Sequence, residues 1–302
     1  MRGNVPPLVG KAARVSTARV ALLALPTVAL LGLFVYWPLV RTLYLSVHGV
    51  NLFGQPIGFV GLRYYIEYFT DSAERSTLLT TLLFSVLSVG FTLVPALVLT
   101  LLLGGSGRGG AIARTVFSLP FAYSAGSASV LFAALYNPAT GVLNQVLGVI
   151  GVGPVSWLGG TKLALVSVAA ATAWWQLGFA VLVLTAAIRA VPEPVIEAAR
   201  LDGAGRLRLV RSIILPLISP SVFFLLVTDS VSGVQTFTQI ALLTRGGPSG
   251  STTTLVYDFY QRAFGNGEAD YGRASTIAII LVLLVIAITA FQFRVLERKV
   301  HY

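Results

Sequence analysis

Charged residues are concentrated in one short stretch of this otherwise apolar chain, between Glu193 and Pro220. The stretch holds Glu193, Glu197 and Asp202 among several arginines, and long uncharged runs lie on both sides of it. Its small residues would let another surface approach closely, and its charges would give that contact direction and register. The chemistry that this stretch favours is therefore docking to a partner.

The residues of this stretch also predict their own local structure. Pro192 and Pro194 end the preceding helix and favour the start of the next one. Residues 195–202 then form a helix of about two turns. Gly203 is suited to the left-handed conformation that often ends a helix, and a second helix is expected from about Gly205. We expect a short helix, a sharp glycine turn and a longer helix.

Residues for catalysis or metal binding do not form a recognisable pattern. The chain has no cysteine, which excludes disulfides, iron–sulfur clusters and thiol catalysis. Its histidines, His48 and His301, are far apart and lie in no ligand cluster. The sequence also lacks a P-loop and a zinc-protease motif. We therefore expect no catalytic residue and no metal site, and we expect that the chain does not hydrolyse ATP by itself.

The composition is that of an integral membrane protein. Of the 302 residues, 56% are hydrophobic and 11% are charged, and the mean hydropathy is +0.84. A soluble domain carries about 25% charged residues. The net charge of +10 comes from basic residues that cluster in one set of loops, as membrane topology requires, so nucleic acid is not expected as a partner.

Six apolar runs are each long enough to cross a bilayer as a helix, and prolines at 26, 38 and 120 are expected to kink two of these helices. The predicted helices cover approximately residues 20–47, 76–103, 111–136, 163–188, 216–243 and 274–293. The fold class is therefore an all-α membrane protein with six transmembrane helices. An amphipathic, aromatic segment at 59–69 is expected to lie at the membrane surface.

The distribution of basic residues predicts the orientation. With six spans, both termini and the loops after the second and fourth helices lie on one side. That side holds 14 of the 21 lysines and arginines, and the richer side is cytoplasmic. The two termini and the charged stretch are thus expected in the cytoplasm, with the chain crossing the cytoplasmic membrane several times.

The charged stretch also resembles a known family. Its order E-A-A-x-x-D-G-A, followed by I-x-L-P-x-x-x-P, is similar to the EAA loop of permease subunits in binding-protein-dependent ABC importers. The resemblance implies the type I importer permease fold and a coupling helix that docks on a cytoplasmic ATPase. The coupling residues would then be Glu197, Ala198, Ala199, Arg200, Asp202, Gly203, Ala204, Arg206, Leu215 and Pro216. The alternative is a solvated charged loop between two membrane helices, which would not need this spacing of alanine and glycine.

The resemblance extends over residues 20–302 and divides the chain. It implies a basic cytoplasmic tail at 1–19, a first helix with an outer amphipathic loop at 20–75, a permease core at 76–296 that contains the coupling loop 192–216, and a cytoplasmic tail at 297–302. The implied partners are a second related permease, two copies of an ABC ATPase that bind ATP and Mg²⁺, an extracytoplasmic binding protein or lipoprotein, and membrane lipid. This chain itself would bind no cofactor.

A substrate path is expected along the fourth and fifth helices, because polar groups inside a bilayer usually face a cavity or a partner. Asp229, Ser232, Gly233 and Thr236 recur with helical spacing on one face. The remaining path candidates offer a ring for stacking, amides and room for a ligand, and they are Trp175, Gln176, Gly178 and Gln235. The alternative for the polar stripe is packing against the partner permease.

Within the carbohydrate-uptake type, which includes the maltose permeases, the chain is most similar to the first permease of the glycerol-3-phosphate and glycerophosphodiester importer. The segment at 251–264 and the ending Q-F-R-V-L-E-R-K-V-H-Y carry this similarity. Asp229 departs from that pattern, which leads to the hypothesis that it faces a cationic group such as choline. A sugar is the alternative substrate. A secondary transporter is the distant alternative. It would need several coupling charges inside the membrane and often an inverted repeat.

Overall fold

The computed structural model describes residues 17–102, 108–265 and 269–295, and this part of the chain is mostly helical, as the sequence predicts. The predicted basic tail and the C-terminal ending lie mainly outside the described residues. The α-helices, numbered in chain order, are α1 (Thr17–Leu31), α2 (Trp37–Leu45), α3 (Arg63–Thr70), α4 (Ser72–Leu102), α5 (Arg108–Ser118), α6 (Ala125–Leu135), α7 (Val142–Val149), α8 (Thr161–Arg189), α9 (Glu193–Leu201), α10 (Arg206–Leu209), α11 (Leu215–Val234), α12 (Thr238–Leu243), α13 (Leu255–Phe264) and α14 (Tyr271–Val295).

Five helical segments in the described residues are long and apolar enough to cross a membrane, and a sixth is a bent pair. The prediction of six spans is confirmed if that pair counts as one span. The first span, Leu23–Leu45, has almost no buried residues, whereas half of the apolar window of α8 is buried. The centre of the bundle therefore consists of α8 with α4 and α11, and the first span lies at its edge, against α14.

Two prolines are accompanied by π-helical turns. One turn, Gly32–Tyr36, joins α1 to α2, and the other, Val210–Ile214, joins α10 to α11. Each turn ends two residues before a proline, Pro38 in the first case and Pro216 in the second. A proline ring clashes with the carbonyl four residues earlier, and a wider turn at that point relieves the clash. The helices therefore continue through these positions.

The third predicted helix is broken, which corrects the expectation of one kinked helix over 111–136. Helix α5 ends at Ser118, a 3₁₀ turn covers Leu119–Ala122, and α6 leaves at 103° to the first half. Pro120 removes a backbone donor, and Ser124 then starts α6 by accepting a hydrogen bond from the amide of Ser127 at 3.1 Å. A new capping residue four positions after the proline converts the kink into a break.

The fifth predicted helix has different bounds. It begins at Arg206 and ends at Val234, not at Leu243, and the short helix α12 follows after a break. Gln235 has non-helical dihedral angles and ends α11. Gln235 and Thr236 therefore lie outside the helix on which the predicted polar stripe depends.

Two of the three loops on the side opposite the charged stretch, those after the first and third spans, contain regular structure that the sequence pattern does not predict. A two-stranded antiparallel hairpin, β1 (His48–Val50) and β2 (Pro56–Phe59), precedes the amphipathic helix α3. In the second loop, Asn144 organises the chain around α7: its side chain accepts hydrogen bonds from the Val155 amide at 3.1 Å and from Trp157 Nε1 at 2.9 Å. The asparagine thereby holds residues 155–157 just before the start of α8.

At the end of the bundle that carries α3 and α13, ion pairs join the helices. Arg262 on α13 pairs with Glu74 on α4 and, at 3.0 Å, with Asp258. Arg273 on α14 pairs with Glu67 on α3 at 2.9 Å. The hydrogen bond from Arg63 is the main reason why the pKa of Glu67 lies below its usual range. The ion pairs of Arg262 are largely buried, whereas the pair of Arg273 with Glu67 is exposed. The Arg262 pairs therefore matter more for stability.

Candidate coupling loop and substrate path

The charged stretch folds as the sequence predicts. Helix α9 starts after Pro192, with Pro194 in its first turn, and Asp202 ends it. Gly203 has a φ of +78°, and the amide of Ala204 then donates to the carbonyl of Ala199 at 2.9 Å. This hydrogen bond turns the chain back sharply, and α10 begins two residues later. Gly203 is therefore needed for its backbone conformation, since a Cβ at this position would meet no neighbouring atom.

One side of this loop packs on the bundle. Ala199 belongs to one buried apolar cluster with Leu209, Ile214 and residues of α4, α8 and α11, and Ile196 and Ala204 pack at its margin. Leu215 belongs to the same cluster and Pro216 is half-buried at the start of α11. A displacement of α9 would therefore be passed directly to three membrane helices.

The other side of the loop is exposed. Leu201 and Leu207 are 89% and 80% exposed, which is costly for leucine unless a partner covers them. The charged residues are also exposed, and in the part of the chain that the structure describes none of them forms an ion pair. The four that the sequence predicts to couple are Glu197, Arg200, Asp202 and Arg206, and Glu193, Arg208 and Arg211 are exposed as well. Ala198 and Gly203 are exposed between them.

The path candidates on α8 lie beside the broken third helix. Trp175 donates from Nε1 to the carbonyl of Tyr123 at 2.8 Å, and its neighbour Trp174 packs against Phe132 with ring centroids 5.3 Å apart. Gln176 is half-buried, and its Oε1 accepts a hydrogen bond from Thr92 at 3.4 Å. The sequence did not indicate Tyr123 or Trp174, although the L-P-F-A-Y-S segment after Ser118 was a sign of a break.

Gly178 provides close packing and not the room for a ligand that the sequence suggested. A Cβ at this position would lie 2.7 Å from the carbonyl oxygen of Ser118 and 2.8 Å from the amide nitrogen of Phe121. The backbone of the 3₁₀ turn therefore fills the space beside Gly178. Only a residue without a side chain lets α8 approach the broken helix this closely.

Replacing Gly178 by alanine should therefore destabilise the protein by about 1–3 kcal/mol, because a backbone segment would have to move. Gly90→Ala is the matched control: Gly90 lies inside α4, and a Cβ added there would meet no neighbouring atom within 4 Å, so alanine should stabilise by about 0.5–1 kcal/mol. Thermal unfolding of the purified complex measures both changes. Equal transition temperatures for the two variants would contradict the packing role of Gly178.

The polar stripe on the fifth helix does not share one environment. Asp229 and Gly233 are buried while Ser232 is exposed, and a Cβ on Gly233 would approach Ser85 Cα of α4 to 3.0 Å. Thr236 is buried after the end of α11, and its hydroxyl donates to the carbonyl of Ser232 at 2.9 Å; Gln235 is exposed. The prediction of a single polar face is therefore wrong, because the helix ends at Val234 and Gly233 packs against α4.

Asp229 is the unusual member of this group. It is 6% exposed, and among the described residues its Oδ2 atom has no hydrogen-bond partner. A buried carboxylate oxygen without a partner is costly, so it is a strong candidate for contact with a group from outside this chain.

A charged loop thus lies at one end of a helical bundle, exposed on one side and packed on the membrane helices on the other. The chain belongs to the family described as binding-protein-dependent transport system inner membrane component, which it matches over residues 15–302. It is therefore an inner-membrane transport component of the ABC importer class, and the type I permease fold is confirmed.

Individual proteins that are similar to this chain place it more closely within this class. The chain is 37% identical over 284 residues to the sn-glycerol-3-phosphate transport system permease protein UgpA of Yersinia pestis, covering 93% of this chain and 95% of that protein. It is 36% identical over 282 residues to UgpA of Agrobacterium fabrum, with the same coverage. A chain of a bacterial alginate ABC transporter, in complex with an alginate pentasaccharide-bound periplasmic protein, superimposes with a TM-score of 0.78 at 25% identity, covering 93% of this chain and 94% of that one.

Proposed function

We propose that this chain is one of two related permease subunits of an importer that moves glycerol-3-phosphate or a glycerophosphodiester, such as glycerophosphocholine, into the cell. The observation that carries the proposal is the 37% identity to glycerol-3-phosphate permeases over 93% of the chain. The similarity includes the docking loop and the helices around Trp175, so it concerns the moving parts as well as the scaffold.

In this proposal the coupling loop 192–216 docks on a separate ATPase subunit in the cytoplasm. The exposed Leu201 and Leu207 would enter an apolar cleft, and the four exposed charges would fix the register. The two ATPase subunits bind ATP and Mg²⁺, and this chain binds no cofactor. Closure of the ATPase dimer would push α9, through its buried residue Ala199, against the cluster that contains Leu209 and Ile214, and the permease pair would turn outward.

The opposite end would receive the substrate. With the coupling loop and both termini in the cytoplasm, α3 and α13 face outward, where an extracytoplasmic binding protein would deliver its ligand. The ligand would then pass between the two permeases beside Trp175 and Gln176. Apolar first-span residues, which are exposed in this chain, would contact lipid.

A sugar is the second candidate substrate, and the likeness to the alginate transporter favours it. Aromatic side chains such as Trp175 and Tyr123 suit the apolar faces of sugars as well as those of glycerol esters.

The test is ligand-stimulated ATP hydrolysis by the reconstituted importer. This chain, its partner permease, the ATPase and the binding protein are assembled in vesicles and given glycerol-3-phosphate, glycerophosphocholine or a disaccharide. Stimulation by either glycerol phosphate supports the proposal. Stimulation by the disaccharide alone keeps the importer and overturns the substrate. The permease pair without the ATPase is expected to hydrolyse no ATP.

Asp229→Asn is expected to change substrate preference. If Asp229 faces the cationic end of glycerophosphocholine, uptake of glycerophosphocholine by the variant should fall about tenfold relative to its uptake of glycerol-3-phosphate. The reason is that a charged hydrogen-bonded contact is worth about 1.5–3 kcal/mol. Ser232→Ala, on the exposed side of the same helix turn, is the control and should leave the ratio unchanged. An unchanged ratio in Asp229→Asn would show that this carboxylate meets no cationic substrate.

A further inference from the structure

A cavity of about 640 Å³ lies between α5 and α8, near the coupling loop. Two arginines line it, Arg114 from α5 and Arg189 from the last turn of α8. None of the described residues that line it is acidic. The cavity therefore concentrates positive charge in a recess that is otherwise formed by small and apolar residues.

Hydroxyl groups from both helices also line this cavity. Thr115, Ser118 and Thr185 all line the cavity. The first two donate to backbone carbonyls within α5, at 3.1 Å and 2.8 Å. Thr185 Oγ1 is buried and has no partner among the described residues, so its proton remains available to an acceptor. Guanidinium groups together with a free hydroxyl donor are a typical set of ligands for a phosphate group.

The cavity also continues the face of α8 that carries Trp175. Trp175, Leu182 and Arg189 are spaced by seven residues, so they lie along one side of the helix. Leu182 lines the cavity and is 48% exposed. The helical rise places Arg189 about 21 Å from Trp175 along the axis. Between Trp175 and Leu182 the 3₁₀ turn packs on Gly178, so the cavity with its two arginines begins beyond that contact, toward the coupling loop.

We propose that this cavity binds the phosphate ester of the substrate on the cytoplasmic half of its path. The proposal rests on the proposed function, because it places the substrate beside Trp175 before it reaches the arginines. The same chemistry occurs in the headgroup of an anionic phospholipid, so the experiments separate the two sources. Basic residues are expected near any cytoplasmic helix end. Membrane topology does not explain why Arg114 and Arg189 line the same cavity as the Thr185 hydroxyl, which has no partner among the described residues.

The first experiment measures the charge of the cavity directly. The chain has no cysteine, so Ala186→Cys places its single thiol on the cavity wall. In the assembled importer, the thiol is labelled with an anionic and with a cationic methanethiosulfonate reagent, and the ratio of the two rates is measured. This anionic-to-cationic ratio should be about tenfold higher than in the same variant carrying Arg114→Gln and Arg189→Gln. Glycerol-3-phosphate under turnover should slow the labelling. Equal reagent ratios with and without the arginines would overturn the proposal.

The second experiment measures transport in vesicles of phosphatidylcholine alone. The Arg114→Gln/Arg189→Gln protein should show a maximal uptake rate of glycerol-3-phosphate about tenfold lower, at an unchanged half-saturating concentration, because the binding protein sets the latter. Arg189→Lys in place of Arg189→Gln should restore part of the rate. Arg294→Gln, at the corresponding end of α14 and outside the cavity, is the control.

Three outcomes are decisive. A loss of rate that appears only when anionic lipid is added would assign the cavity to a lipid headgroup and overturn the substrate site. Normal rates in the double variant would overturn it as well, while leaving the proposed function intact. A wild-type importer that transports no glycerol phosphate would overturn the proposed function and, with it, the substrate assignment of the cavity.

Discussion

Replacing Gly203 by valine is expected to lower substrate-stimulated ATP hydrolysis and uptake by tenfold or more. Gly203 has a φ of +78°, which costs a residue with a Cβ about 1–2 kcal/mol and a β-branched residue more. The hydrogen bond from Ala204 to Ala199 depends on this turn. Without it, α9 would present Leu201 and its charges at a different angle to the ATPase.

The matched control is Gly205→Ala, two residues away. Gly205 has a φ of −65°, which alanine adopts without strain, and a Cβ added there would meet no neighbouring atom within 4 Å. The control should transport at the wild-type rate. Membrane insertion and copurification with the partner permease should persist in both variants, so that a defect in Gly203→Val reports docking. Wild-type coupling in Gly203→Val would show that the left-handed turn is not needed.

Replacing Arg262 by methionine is expected to cost about 3–5 kcal/mol of stability. Burial lowers the pKa of Arg262, but Asp258 and Glu74 outweigh it and raise the pKa, so the guanidinium stays charged. The arginine side chain is 24% exposed, and its two partners are 15% and 13% exposed. Methionine would leave two nearly buried carboxylates close together without a cation. Asp258 Oδ2 already lacks a partner among the described residues.

Thermal unfolding of the purified importer at two pH values measures this effect. The loss should be largest at neutral pH and smaller at acidic pH, because protonation of the unpaired carboxylates removes their repulsion. Arg63→Met is the control: Arg63 is 68% exposed in its pair with Glu67, so its removal should change stability by less than about 1 kcal/mol. Equal losses in the two variants would contradict the structural role of Arg262.

Much of the architecture could be predicted from the sequence because membrane spans depend on length and hydropathy, and the coupling loop depends on local residue preferences. Pro194, Asp202 and Gly203 each act within a few residues, so α9 and its turn follow the prediction closely. The residues of the loop that bind the ATPase remain a prediction, since the partner alone can show the contact.

The features that escaped prediction depend on contacts between distant segments. Pro120 was expected to kink a helix, but the break also needs the cap at Ser124 and the glycine at 178 that receives the turn. The spacing of Asp229 to Thr236 assumes a continuous helix, whereas α11 ends first. Whether Gly178 and Gly233 offer space could not be read from residue type, because small residues serve close packing and open cavities equally well.

The π-turn at Val210–Ile214 sets the rotational phase between the docking surface and the membrane helix that it drives. Such a turn holds one residue more than a regular helix, so each residue before it is offset by about 100° around the axis. Deleting one residue there would leave the sequences of α9 and α11 unchanged but would rotate the loop around the helix axis. If the loop docks on an ATPase as proposed, this single extra residue would set the direction in which the contact moves the helices.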